Sequence, residues 1–408
     1  MSLPLAGLRV LDLSRILAGP LAGQMLADLG AEVIKVERPG RGDDSRDYGP
    51  PFFAGEAGRG PGESGFYLSA NRNKKSVTVD LAAPEGQEII RALAAKSDVL
   101  LENFKVGTLA RYGLDYPSIA RINPRIVYCS ITGYGQTGPH AERPGYDAIF
   151  QAMGGLMSVT GLPDGVPGGG PMKSGLSIVD ILTSLYAAIA ILGALFHRDR
   201  EGGPGQHIDM ALLDAQVASL SHYGMQYLVS GALPPRRGNS GNGGIPSQLF
   251  QCTDGAIMLT VGNDAQWARF CTAIGRPELA ADPRFANGPS RIESRPVLIP
   301  LLEEVFLERS KAEWLEVLEA ADIASGPIND LAEVFEDRQV RHRRMKVSVP
   351  HPLGDALPLI ANPIRYSATP LDRYQAPPLL GQHTDEVLRG LLGLSESRIA
   401  ELRQTKTV

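Results

Sequence analysis

Leu8-Arg9-Val10-Leu11-Asp12-Leu13, then Gly19-Pro20-Leu21-Ala22-Gly23 running to Leu29, then Ala31-Glu32-Val33-Ile34-Lys35-Val36: these residues decide the fold. They read as a strand, a helix with proline in its first turn, and a second strand. The alternation continues with a strand at 76–81, a helix at 84–96, and strands at 99–102 and 126–131, the last ending at Thr132-Gly133-Tyr134-Gly135. Alternating elements of this kind predict an α/β fold with a parallel sheet and helices on both faces. Ligands in such sheets sit outside the carboxyl ends of the strands. A further helix is expected from about Asp180 to His197, ended by Glu201-Gly202-Gly203-Pro204-Gly205, then a strand at 207–210 and a long helix from Leu212.

The bulk numbers bound the rest. A chain of 408 residues exceeds one ordinary core, so more than one domain is expected. With 43% apolar and 21% charged residues it has the balance of a soluble globular protein. A net charge of −5 argues against a nucleic-acid partner. Three scattered cysteines, Cys129, Cys252 and Cys271, argue against a disulfide framework and suit the cytoplasm. No signal peptide is expected from the first residues, and the longest apolar run, near 184–196, looks too short for a membrane span. No histidine or cysteine pair falls at metal-ligand spacing.

Beyond Leu233 the stretch Pro234-Pro235-Arg236-Arg237-Gly238-Asn239-Ser240-Gly241-Asn242-Gly243-Gly244 is too polar for an element and reads as a loop or hinge. A strand pair around Phe250 and 257–261, with helices near 266–274, 296–307 and 311–320, predicts a small α/β domain over 225–325. This leaves a large Rossmann-like domain over 1–224. The mixed segment 326–408, ending in a helix at 385–392, is expected to return to it.

Asp180 stands without a neighbouring acid or base at the mouth of the apolar run Ile181–Leu192. It reads equally as a helix N-terminal acid held by the macrodipole and as a catalytic carboxylate. The turn Ala18-Gly19-Pro20-Leu21-Ala22-Gly23, with Glu37 ending the second strand, mimics a dinucleotide site, yet G-x-G-x-x-G is missing, which weighs against a nicotinamide oxidoreductase. Lys35, Arg38, Arg41, Arg46, Arg72, Lys74, Lys75, Lys105 and Arg111 cluster near strand ends. They form either a convergent basic rim for a phosphorylated ligand or a solvated face paired with Asp43, Asp44 and Asp47. Tyr146-Asp147, after Arg143-Pro144-Gly145, lines a pocket or caps a helix.

At this point the chain resembles a known family. Leu11-Asp12-Leu13-Ser14-Arg15-Ile16-Leu17-Ala18-Gly19-Pro20, Val33–Gly40, Asn71–Ser76, Glu102-Asn103-Phe104, Gly133-Tyr134-Gly135 and Leu379–Thr384 are similar to the family III CoA-transferases. Within them Tyr128–Pro139 and Leu220-Ser221-His222 look closest to the succinyl-CoA-dependent dicarboxylate enzymes of the succinate–hydroxymethylglutarate type. The resemblance implies a reaction in which Asp180 attacks the donor thioester and passes through an aspartyl anhydride and an aspartyl-CoA thioester. A carboxylate nucleophile is ionised at neutral pH and needs no general base. The same helix dipole could both cap the helix and hold it ionised.

By the same resemblance Leu17 and Ala18 lie near the thioester arm, Arg38 on the phosphates and Val79 along the adenine. Asn103, Phe104, Lys105 and Arg111 flank the nucleotide, and Tyr146-Asp147 lies near the thiol. Gly243 and Gly244 belong to a glycine loop that closes over the reacting carboxylate. Arg72 or Arg143 is expected to hold the distal carboxylate of a dicarboxylic acid. Leu17 replaces the glutamine of formyl-CoA transferase, which argues against oxalate. Tyr146 replaces the histidine of the 2-methylacyl-CoA racemases, which removes one of two bases. CoA and its thioesters enter as substrates, no permanently bound cofactor is expected, and the family implies an interlocked homodimer.

Overall fold

The computed structural model of the chain describes residues 2–53, 63–241 and 244–408. It opens with β1 (Arg9–Asp12), α1 (Ala18–Asp28) and β2 (Glu32–Glu37). Then come β3 (Lys74–Thr78), α2 (Pro84–Ala94), β4 (Val99–Glu102), β5 (Val127–Thr132), α3 (Asp147–Met153), α4 (Ile178–Glu201) and β6 (His207–Ala211). The six strands make one sheet in the order β3-β2-β1-β4-β5-β6, with every neighbouring pair parallel. The third strand starts two residues before the sequence signal. Hydropathy conceals it because Lys74, its first residue, is buried as an ion-pair partner and not as an apolar side chain.

Both faces of the sheet are covered, so the strands read as nearly unbroken apolar runs. Leu11, Ile34, Val77, Leu100 and Tyr128 share one core with Ile90 and Leu93 of α2 and with Val387, Leu388, Ile399 and Leu402 of the two C-terminal helices. Val10, Val33, Val99, Leu101 and Cys129 share the other with Ala22 and Leu26 of α1 and Val179, Ala187 and Ile191 of α4. The last helix, Glu396–Gln404, escapes sequence reading because Ile399 and Leu402 are its only large apolar residues; Ser395 caps its start.

Two expectations fail on backbone grounds. The long helix from Leu212 is broken into α5 (Leu212–Ser219) and α6 (Ser221–Ser230), because Ser221 has a φ of 46°, outside the helical region. The apolar run is also longer than it looked. α4 has 24 residues with a mean hydropathy of 2.1 in its most apolar window, enough by length and composition to cross a membrane. A core helix meets the same test, and Val179, Ala187, Ile191, Ala194 and Leu195 are buried against the sheet.

The chain divides into two compact units. The sheet unit runs to Leu156 and takes up Lys173–Leu233 and Arg341–Val408; the other combines Met157–Met172 with Pro234–Val340. The excursion at 157–172 crosses the expected boundary at 224. Arg236 pairs with Asp164, and the Gly238 N–H donates to the Gly161 carbonyl at 2.9 Å. The second unit carries a three-stranded antiparallel sheet of Ala324–Pro327, Gly255–Thr260 and Ser247–Cys252, over a core of Trp267, Phe270, Phe306 and Trp314. Residues 341–408 return to the sheet unit. There Asn362 Nδ2 donates to Asp28 Oδ2 at 2.9 Å, and the His383 N–H donates to the Ser76 carbonyl at 2.9 Å.

Candidate active site

The strand order reverses between β1 and β4, and the crevice outside their carboxyl ends is where such sheets bind ligands. The two loops leaving those ends are tied together there. Asn103 Oδ1 accepts the Arg15 N–H at 2.8 Å while its Nδ2 donates to the Arg15 carbonyl at 2.7 Å. Ile16 has a φ of 71°, a strained conformation for a β-branched residue. Its N–H is held by the Asp43 carboxylate at 3.1 and 3.3 Å. Asp43 also accepts from Lys35 Nζ at 2.8 Å and from the Ser45 N–H at 2.9 Å. Burial opposes its ionisation, but the Lys35 ammonium and the N–H donors outweigh that and keep its carboxyl well below the usual range.

Two adjoining cavities open on this crevice. One, of about 340 Å³, is lined by Leu17, Ala18, Asn103, Phe104, Lys105, Arg143, Tyr146, Asp147 and Asp180, with Arg15, Asp44 and Tyr48 among the other walls. The second, of about 410 Å³, is lined by Arg38, Val79 and Phe104 with Arg41, Leu81, Thr108 and Tyr112, and shares Arg15, Asp44 and Phe104 with the first. Residues spread over more than 160 positions of sequence are thus gathered into one continuous groove. Arg15, whose guanidinium lies 5.0 Å from the centre of the Phe104 ring, sits at the junction. No local signal marks Arg15 for this place, and of the two readings of the basic residues the solvated face fails for Asp43, which is buried against Lys35. The signal for Asp43 is the turn Gly42-Asp43-Asp44-Ser45, which an N-capping aspartate opens.

Asp180 is the third residue of α4, whose N-cap Ser177 makes no side-chain cap. The free amides of that turn go to Asp147 instead. Its Oδ1 accepts from Val179 at 2.7 Å and from Asp180 at 3.2 Å. The pocket and cap readings of Asp147 are therefore both realised, although the helix it caps is α4 and not its own. Asp180 is left half-buried, with no donor to its carboxylate among the described residues. Burial first, and the negative Asp147 second, push its carboxyl up to about 7. The expectation that the helix dipole keeps it ionised is corrected here: the dipole's N–H groups are satisfied by the neighbouring acid.

Other expectations fall elsewhere. Part of the basic rim is an internal scaffold, since buried Lys35 pairs with Asp43 (2.8 Å), Arg46 with Glu37 (2.7 Å) and Lys74 with Asp12 (2.9 Å), while the half-buried Lys75 pairs with Glu32 (2.9 Å). Arg72 is buried, forks onto Asp28 at 2.9 and 2.6 Å, donates to the Ile360 carbonyl at 2.7 Å and lines neither cavity. Each of its three nitrogens is engaged and it stands away from both cavities, so the structure does not offer it to a substrate carboxylate there. Arg38, Lys105 and Arg111 are exposed and without an acidic partner among the described residues, but Arg111 lies outside both cavity walls. Glu37, the acid a dinucleotide ribose would need, already accepts from Arg46, Ser76 and the Asp43 N–H. Gly243 lies outside the described residues. Gly244 packs in the second unit, where a Cβ would meet the Val261 carbonyl at 2.3 Å.

The profile of CoA-transferase family III matches residues 5–384. The chain belongs to that family. A succinate–glutarate CoA-transferase of Agrobacterium fabrum is 45% identical over 95% of this chain and 96% of its own length. A human succinyl-CoA:glutarate CoA-transferase is 42% identical over 98% of this chain and 88% of its own. The crystal structure of a CAIB/BAIF family protein from Brucella suis superposes with a TM-score of 0.86 at 44% identity, covering 96% of this chain and all of the other. The protein is a CoA-transferase, and CoA thioesters are its substrates.

Proposed function

We propose that this family III enzyme transfers CoA from succinyl-CoA to a dicarboxylic acid of glutarate size, with Asp180 as nucleophile. The observation that carries the reading is the Asp180 carboxyl, set in the wall of the 340 Å³ cavity, without a hydrogen-bond donor among the described residues and pushed up to about 7. A carboxylate of raised pKa is a stronger nucleophile, and near neutral pH about half of it is ionised. The Asp180 oxygen attacks the thioester carbon and expels CoA thiolate, leaving a mixed anhydride. The thiolate attacks the Asp180 carbonyl carbon and releases succinate, giving an aspartyl-CoA thioester. The acceptor carboxylate attacks that thioester, forming a second anhydride and freeing the thiolate, which takes the acceptor acyl group and restores Asp180. No proton is consumed in the cycle.

The names of the relatives from Agrobacterium fabrum and human support the donor and the acceptor size. The groove favours placing the nucleotide by Arg38 and Val79 and the acyl end beside Asp180. Arg143, in the acyl-end wall, is the counter-ion offered to the distal carboxylate. Asp147 is a poor second base for a racemase, because its oxygens are committed to two backbone amides and a side-chain amide. Exposed Leu185, Ile189 and Phe196 on α4 and Leu228 and Val229 on α6 support a homodimer. The three cysteines, free and buried, suit a cytoplasmic enzyme.

The test mixes the protein with succinyl-CoA and C3 to C6 dicarboxylic acids and reads thioesters by mass spectrometry. Glutaryl-CoA as the leading product is expected. No new thioester from any acid would overturn the reading.

A further inference from the structure

Gln151 is buried in α3, and its amide is occupied on both sides. Nε2 donates to Asp147 Oδ2 at 2.5 Å and to the Leu176 carbonyl at 3.2 Å, while Oε1 accepts the Ser174 N–H at 2.8 Å. The spacing of four residues puts Gln151 and Asp147 on one face of α3, so their side chains meet. Asp147 is therefore held at both oxygens, by Gln151 on one and by the first turn of α4 on the other. The Ser174–Leu176 stretch that leads into α4 is fixed by the same amide.

We propose that Gln151 is a positioning residue for Asp180: it locks the Asp147 cap and the Ser174–Leu176 lead-in, so that α4 presents the nucleophile at one place in the cavity wall. The residue type follows from the partners. A carboxylate and a carbonyl both need a donor, and an N–H needs an acceptor, so one side chain must supply both kinds. Glutamate would face the Asp147 oxygens with another acceptor. Methionine fills the space but ties nothing. Among the described residues no other side chain links Asp147 to the lead-in.

The inference rests on the transferase reading only for its kinetic arm. The first arm is amide hydrogen exchange across 174–181 in the full-length protein without substrate. Gln151→Met is expected to raise exchange at Val179 and Asp180 about tenfold or more while β1 and β4 stay protected. Gln151→Asn, which keeps the amide but is one methylene too short to bridge, should do the same. In the second arm Gln151→Met lowers kcat about 10- to 100-fold and leaves the donor KM within about twofold. In an Asp147→Asn background the same change costs no more than about twofold, because both act through one cap. Unchanged exchange at 179–180, equal losses in the two backgrounds, or a rise in donor KM at constant kcat would each overturn the proposal. If the wild-type protein transfers no CoA, the transferase reading falls and the exchange arm still decides the role of Gln151.

Discussion

Two clusters of charge, one buried and one half-buried, lie at the carboxyl end of the sheet, and they are built on opposite rules. Under β1 and β2 every charge is answered: Asp12 by Lys74, Asp43 by Lys35, and Glu37 by Arg46, which also reaches Glu63. At the start of α4 two acids meet, and among the described residues no cation bonds to either. The matched cluster fixes a backbone, whereas the unmatched pair leaves one carboxyl with a raised pKa. Matching costs desolvation that the ion pairs roughly offset. Mismatching leaves free energy stored at Asp180 itself.

Removing the unmatched acid is the sharpest way to break this contrast. Asp180→Ala is expected to lower transfer by about 10³-fold or more, read as thioester formed per minute, with CoA still binding. The same site should show its stored free energy. Because the folded-state pKa of Asp180 is raised above 3.8 to about 7, the folded protein holds an extra proton between those values. Stability contributed by this group therefore falls as pH rises from about 4 through 7. Asp180→Asn should raise Tm above pH 7 and leave it nearly unchanged at pH 4. A lower Tm at pH 8 would contradict the picture.

The matched cluster should respond in stability first. Lys35→Met strands Asp43 in the interior and is expected to cost about 3–5 kcal/mol in urea unfolding. Lys35→Met with Asp43→Leu should recover much of that loss, while the turn at Ile16, no longer held by Asp43, is expected to shift the wall of the 340 Å³ cavity. A smaller effect concerns pH. The rate with limiting donor should climb through a midpoint near 7 as Asp180 ionises, and Asp147→Asn should move that midpoint downward by removing the like charge. A profile flat from pH 5 to 9 would show that Asp180 is not the titrating nucleophile. The smallest expected change separates two arginines. Arg143→Ala should raise acceptor KM about tenfold, and Arg72→Ala should lower stability with acceptor KM unchanged.

The sheet was largely legible, since strands buried on both faces leave apolar runs and the helices between them carry period-3.6 patterns. The failures share one physical origin. Lys74, Arg46 and Arg72 look like surface cations in sequence because their partners, Asp12, Glu37 and Asp28, are 62, 9 and 44 positions away. Charge pairing is a tertiary property that no local window contains. Asp180 stands out in the sequence by its isolation, yet in the fold it is neither fully open to water nor alone: burial and an acid 33 positions upstream together raise its pKa. Ser221 broke a helix whose apolar pattern runs on without a break, through a backbone angle that side-chain periodicity cannot report.

The left-handed turn at Ile16 has a consequence in time. Three donors from the chain itself converge on Asp43 and hold that turn, so its strain is offset when the chain folds. Catalytic cycles that follow inherit a finished floor. A turn set in advance takes no share of a ligand's binding energy to assemble, so that energy is left for holding the ligand.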